Sequence, residues 1–390
     1  MDRFPVELLR DIATYACTDG GRTGCSLALV SRHVHDATSC ARYQSVSLIG
    51  RSNIIAFSEL ATNMHGNNIS YLFITTSRVV APSEESGAHK SAGGPGGGGT
   101  ARGQTGRDEE KDDDDDDDDA DDDDDDDEND AEEENINTDI DEEEEIPGDH
   151  ILKIIQIAAS SLVTLFLHTP GSTNYAFPFP TLHFPQLRDL SVSSFPSYRD
   201  YETQEAPSFP VLRRLHVSSY TGGGRWRQHN FWTTLGDCVP SLEALRLTGF
   251  TGDTSIDKFL RVLLSIPLPG PRMIGNQTLA PVAGEGGHYP PGSDQELQSI
   301  EVAEKLPRLK TVYVQPGVYV QRGWCGTGRF VNSAMNIGLF SVAQQTAKGE
   351  GNGRIYHLGV SKGGYTGYEA RSGWMDVVHG GTGPWTAPKE

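Results

Sequence analysis

The chain has 390 residues and a formal net charge of −23. Of its 55 acidic residues, 29 lie between Asp108 and Glu145 beside one lysine, leaving 31 basic against 26 acidic residues elsewhere. The acidity thus belongs to one run, and the chain shows neither a basic stripe for nucleic acid nor 18 consecutive apolar residues for a membrane span. No nucleic-acid or membrane partner is expected. The start, MDRFPVELL, has no basic n-region and no apolar h-region, so no secretory signal is expected. The five cysteines (Cys17, Cys25, Cys40, Cys238, Cys325) form no framework, which predicts reduced thiols in a cytoplasmic or nuclear protein.

In chain order, Pro5 opens a first helical turn, followed by Leu8, Leu9, Ile12 and Tyr15 or Ala16 at helical spacing. DGGRTG breaks it, and CSLALVSRHVHDAT predicts one or two short helices carrying Leu27, Leu29, Val30 and Val34. RYQSVSL (42–48) and NISYLFI (68–74) then read as short strands. A helix between them is predicted from Ile54, Phe57, Leu60, Ala61 and Met64, with Ser52 as its cap. The segment 79–146 holds the Gly-rich stretch and the acidic run. Like charges repel and offer nothing apolar to bury, so it is expected to be disordered.

Beyond it, SSLVTLFL (160–167), FPQLRDLSV (184–192), FPVLRRLHV (209–217), VPSLEALRL (239–247) and LPRLKTVYV (306–314) share one pattern: an anchoring apolar residue, then two positions, then apolar-x-apolar. Helices are predicted behind Asp149 (Ile151, Ile154, Ile155, Ala158), behind Thr254 (Ile256, Phe259, Leu260, Leu263, Leu264) and behind the Ser293/Glu296 capping box. YRDYETQEAPS reads as loop. Asn332–Lys348 reads as a helix and Arg354–Val360 as an alternating strand. Thr366 is placed to cap a last helix carrying Tyr368, Trp374, Met375 and Val378 and ending at Gly380-Gly381.

The anchoring residues fall at 43, 69, 162, 187, 212, 242 and 309. Four steps are 26, 25, 25 and 30, and the step of 93 becomes 25 once the 68-residue acidic segment is removed. That period matches leucine-rich repeats. It predicts an α/β chain: a curved array with parallel strands on the concave face and helices on the convex face, interrupted by an acidic loop.

FPVELLRDI followed by LALVSRHVHD and closing on YQSVSL resembles an F-box, the short all-α module built on Leu-Pro-x-Glu-Leu-Leu-x-x-Ile and then Leu-x-x-Val-Ser-Arg. The likeness covers about 45 residues, and the layout resembles F-box proteins of mushroom-forming fungi. The sequence departs from the pattern at Phe4, Ala13 and Val34. The resemblance implies a Skp-type adaptor and its cullin complex as partners, with Phe4, Pro5, Leu8, Leu9, Ile12, Val30 and Val34 as the adaptor-binding residues. Together with the periodicity and the acidic segment, it gives an F-box over 1–48, a first repeat over 49–78, the insertion over 79–146, the array over 147–317 and a C-terminal capping region over 318–390. The function implied is that of a substrate receptor in a ubiquitin ligase.

In each apolar-x-apolar strand the middle residue faces away from its neighbours. This puts Phe73, Phe166, Ser191, His216, Arg246 and Tyr313 on the concave face, with Asp189 and Arg214 two residues upstream of Ser191 and His216. Aromatic and arginine side chains are common binding anchors, so this face is expected to take an unknown target protein. The acidic run fits basic proteins, which gives a second reading as a non-catalytic scaffold. It lacks the spaced ligands and turn glycine of a calcium loop. Cys17, Cys25, Cys40, His33 and His35 contain no C-x-x-C pair, so no metal or cofactor is expected. No catalytic constellation stands out, and no enzymatic role is expected. Trp374 and Trp385 are expected to pack in a cap at the end of the array.

Overall fold

The computed structural model describes residues 4–62, 69–77, 79, 148–169, 182–193, 195, 208–218, 228–250, 256–267, 273–274, 277–278, 301–317, 327–360 and 365–387. The chain divides into two units, Met1–Ala81 with Ile146–Glu390, and Pro82–Glu145, and every element below belongs to the first. The acidic run, the loop YRDYETQEAPS up to Pro207, Thr254 and the Ser293/Glu296 capping box lie outside the described residues.

Three helices open the chain: α1 (Val6–Ala16), α2 (Arg22–Ala28) and α3 (Arg32–Thr38). Helix α2 starts earlier than the sequence suggests, inside the expected break. Asp19 accepts from both the backbone N–H and the hydroxyl of Thr23, which satisfies donors at the new N-terminus. Gly24 then packs against the backbone at Arg42; a Cβ there would sit 2.6 Å from the Arg42 carbonyl oxygen. Ser31 caps α3 by accepting from the Val34 N–H at 3.2 Å. Ala13, Cys17 and Ala41 form the small core between these helices.

The rest is α/β, built on one eight-stranded parallel sheet. Its strands are β1 (Ser45–Ile49), β2 (Tyr71–Thr75), β3 (Thr164–His168), β4 (Asp189–Val192), β5 (Arg214–Ser218), β6 (Ala244–Phe250), β7 (Thr311–Pro316) and β8 (Arg354–His357). Spatial order equals chain order. Each strand lies beside its predecessor, so each connection is a crossover that must pack on the sheet. The sheet runs past residue 317, because β8 joins it from the region expected to form the cap. A separate two-residue hairpin pairs Met273–Ile274 with Gln277–Thr278.

Register follows the sequence pattern. Leu72, Leu165, Leu190, Leu215, Leu245 and Val312 form one row across β2–β7. Ile74, Leu167, Val192, Val217, Leu247 and Val314 form the next row on the same face. Both rows are buried in the main core. The anchoring residues Ile69, Leu162, Leu187, Leu212, Leu242 and Leu309 are buried there too, and Tyr43 packs on it. The helices α4 (Arg51–Thr62), α5 (Gly148–Ala158), α6 (Gln228–Cys238), α7 (Ile256–Leu263) and α8 (Thr327–Ala347) cover that face. Helix α4 begins at Arg51, so Ser52 lies inside its first turn rather than capping it.

The last helix, α9 (Gly367–Val378), and a 3₁₀ turn (Gly383–Trp385) pack elsewhere. Thr366 and Glu369 make a complete capping box at the start of α9. Instead of closing the end of the array, these elements lie on the opposite face of the sheet. There Tyr365, Ala370, Trp374, Val377, Val378 and Trp385 form a second core with Phe73, Phe166 and Tyr313. Tyr368, expected on the apolar stripe, is 42% exposed.

Candidate partner-binding surfaces

The N-terminal helices carry apolar side chains that the other described residues leave uncovered. Phe4, Pro5, Val6, Leu8, Ile12, Tyr15, Leu29 and Val30 are all exposed, Tyr15 and Leu29 by 84% and 87%. Five of the seven residues picked out by resemblance therefore lie on open surface: Phe4, Pro5, Leu8, Ile12 and Val30. Leu9 is half-buried. Val34 is a correction. It is 2% exposed, facing inward from the turn that Ser31 caps. A seven-residue helix in a bundle has apolar neighbours on two sides, and spacing alone does not tell which apolar position faces in. Tyr15 and Leu29, apolar positions of the predicted helices, lie outside those seven and are the most exposed large apolar residues among those described.

The second surface is the sheet face opposite the main core. Its central row runs Ser47, Phe73, Phe166, Ser191, His216, Arg246, Tyr313 and Tyr356 in register across the eight strands. Beside it Thr164, Asp189, Arg214, Ala244 and Thr311 align. The alternation thus brings all eight expected target-binding residues to one face. That face is not open, however. Phe73, Phe166 and His216 have no exposed area, and Asp189, Ser191 and Tyr313 are 4–6% exposed. Arg214 and Arg246 are half-buried. The expectation of a solvent-facing surface is corrected here, because α9 and the 3₁₀ turn occupy it.

The contacts are specific. Trp374 packs on Phe73 with ring centroids 5.7 Å apart. Trp385 meets Phe166 edge-on at 6.1 Å, and the Arg214 guanidinium lies 4.8 Å from its ring centroid. Arg214 also holds Asp189 through two parallel hydrogen bonds. Arg246 donates to the Pro384 carbonyl, to Gln315 Oε1 at 3.0 Å and to Thr248 Oγ1 at 3.3 Å. The Tyr313 hydroxyl donates to the Trp385 carbonyl at 2.8 Å.

A polar ladder runs beneath Tyr365, whose ring stands edge-on to His216 at 4.4 Å. Ser191 Oγ lies 3.0 Å from His216 Nδ1, and Thr248 Oγ1 lies 2.9 Å from His216 Nε2. Thr248 Oγ1 also accepts from Arg246, and whichever ring nitrogen carries the proton, a hydroxyl stands at each to accept from it or donate to it. Burial drives the His216 pKa well below its ordinary value, and the Arg246 charge adds to this. The imidazole is therefore neutral, held between two hydroxyls and sealed from solvent. A Ser–His contact of this kind reads as a buried polar network whose every ring nitrogen has a partner.

Among the described residues, no group of three or more His, Cys, Asp or Glu is placed to hold a metal ion. No helix among them is long and apolar enough to cross a membrane. Comparison of the chain with protein-family models, curated proteins and solved structures gave no match.

Proposed function

We propose that the chain is the substrate-receptor subunit of a Skp-cullin-F-box ubiquitin ligase. The observation that carries this is the uncovered apolar surface of α1–α3, where Phe4, Leu8, Ile12, Tyr15, Leu29 and Val30 are each more than two-fifths exposed. So many large apolar side chains together on a short helical module call for a partner to cover them. The motif resemblance of these helices names the partner as a Skp-type adaptor. A parallel sheet advancing one strand per ~25 residues, as in leucine-rich repeats, supports a role in presenting a target beside the ligase. The chain then acts by raising the local concentration of that target, with no chemistry of its own.

The test is co-purification with a Skp-type adaptor. Leu8→Asp with Ile12→Asp puts two charges on open surface, so the fold is retained while adaptor capture falls at least tenfold. Capture that is unchanged in this variant argues against the reading.

A further inference from the structure

The 3₁₀ turn lies on the sheet like a bound peptide. Its backbone is held by side chains of three different strands: Arg214 reaches the Thr382 carbonyl at 3.5 Å, Arg246 the Pro384 carbonyl and Tyr313 the Trp385 carbonyl. Its indole sits between Phe166 and the Arg214 guanidinium. The fit depends on Gly383, which has φ +60° and packs so closely on Val377 and the Gly373 carbonyl that no side chain fits there.

This resident turn leaves the face incompletely matched. Arg214 has the Asp189 carboxylate, but Arg246 donates only to neutral oxygens among the described residues, with Glu369 acting at a distance. A half-buried guanidinium gains more from a carboxylate than from a carbonyl. Both guanidinium charges also act on the Tyr313 hydroxyl, the group that holds the Trp385 carbonyl. The Trp385 indole N–H and the Tyr365 hydroxyl are buried with no hydrogen-bond partner among the described residues, a further mark of an imperfect fit.

We propose that this face is a peptide-binding site held by residues 382–385 as an internal stand-in. Its partner is a protein segment that places a tryptophan between Phe166 and Arg214 and a carboxylate between Tyr313 and Arg246. A chain ending in Pro-Trp supplies both groups at once, because its terminal carboxylate falls where the Trp385 carbonyl now lies. The proposal deepens the target-binding half of the reading above and is independent of the adaptor half.

The test uses the full chain carrying Gly383→Val and Trp385→Ala, which dislodges the turn and spares every residue of the sheet. The probe is a fluorescent peptide of residues 379–385 (HGGTGPW), made with a free C-terminal carboxylate and as the amide. By anisotropy, the variant is expected to bind the acid form at least tenfold more tightly than the unaltered chain does, and at least tenfold more tightly than it binds the amide. Adding Arg246→Ala or Tyr313→Phe is expected to weaken the acid form at least fivefold. Equal affinity for acid and amide, or no binding by a variant with native circular dichroism, overturns the proposal. Should the variant not fold, hydrogen exchange of the unaltered chain decides. Amides of Gly383, Trp385 and Thr386 that exchange while those of β4–β6 stay protected support the proposal, and exchange only through global unfolding overturns it. No adaptor is present in either assay, so failure here leaves adaptor binding untouched.

Discussion

His168 ends β3 with 3% of its surface exposed and Nδ1 unpartnered, edge-on to the Tyr365 ring at 5.9 Å. Burial lowers its pKa to about 4, from an ordinary 6.5. The groups facing it are His216 and Tyr365, with Arg246 beyond them; neither histidine gains a carboxylate that would favour its charged form. The sign of the linkage follows. Above pH 6.5 the ring is neutral in both folded and unfolded chains, and its contribution is fully present. Between pH 6.5 and about 4 the unfolded chain takes up the proton and the folded chain does not, so stability falls as pH falls. One such group removes up to about 3 kcal/mol over that window, and His216 acts in the same direction. Urea midpoints at pH 7.5, 6.5, 5.5 and 4.5 are expected to decline, and His168→Leu, which keeps the apolar packing, is expected to flatten the decline. A midpoint equally steep in pH for both proteins would show that another group controls it.

The same covered face explains what the element patterns reveal and what they hide. Strand register was legible in β2–β7 because each repeats apolar-x-apolar after an anchoring isoleucine or leucine, and a slip of one residue would turn both apolar rows outward. The middle row reads Phe, Phe, Ser, His, Arg, Tyr, and polar residues in it suggest a surface wetted by solvent. They are covered, Arg246 in part, because Tyr365, Trp374 of α9 and Trp385 of the 3₁₀ turn pack onto that face. Helix α9 itself was legible from the Thr366 and Glu369 box and the spacing of Trp374 and Val378. The surface it meets was not, since an amphipathic stripe states that a helix packs but not against what. Trp374 is the strongest link. It has no exposed area, packs on Phe73, and lies 3.6 Å from where a Cβ on Gly20 would be, so it ties β2 and the α1–α2 connection to α9. Trp374→Ala is expected to cost about 3–5 kcal/mol in urea unfolding, the range for a buried large-to-small aromatic change. The loss is expected to free α9 first, because the main core lies on the other face. Hydrogen exchange would then show α9 amides released while β3–β6 remain protected, and uniform release across both would contradict this ordering.

For the molecule as a whole, the connection from β2 to β3 matters most. Each of the steps from β3 to β6 adds one strand within about 30 residues, whereas the path from Thr75 to Thr164 spans about three times that. Yet β2 and β3 pair residue for residue from Tyr71↔Thr164 to Thr75↔His168, in the same register rows as every other neighbour. Ser161 Oγ donates to the Ile69 carbonyl at 3.1 Å, and Ser58 Oγ lies 2.6 Å from His150 Nδ1, so the two flanks also meet through side chains. Helix α5 enters the same main core as α4. The pairing is thus specified by the residues on either side of the insertion, and the sheet closes despite the insertion's length. Chain-closure entropy grows only as the logarithm of loop length, which is why an array tolerates such an insertion. By the same relation, shortening the connection from about 70 to about 10 residues reduces the closure cost by about 2 kcal/mol. Deleting Pro82–Glu145 is therefore expected to keep the β2–β3 pairing and to raise the unfolding midpoint. On the receptor reading, the deletion is expected to leave adaptor capture within twofold. If capture of basic proteins were the activity, the same deletion would abolish it. Co-purification of the full and deleted chains from one extract, read for adaptor and for basic partners side by side, separates the two readings: retained adaptor supports the receptor, and loss of every partner with a raised midpoint supports the scaffold.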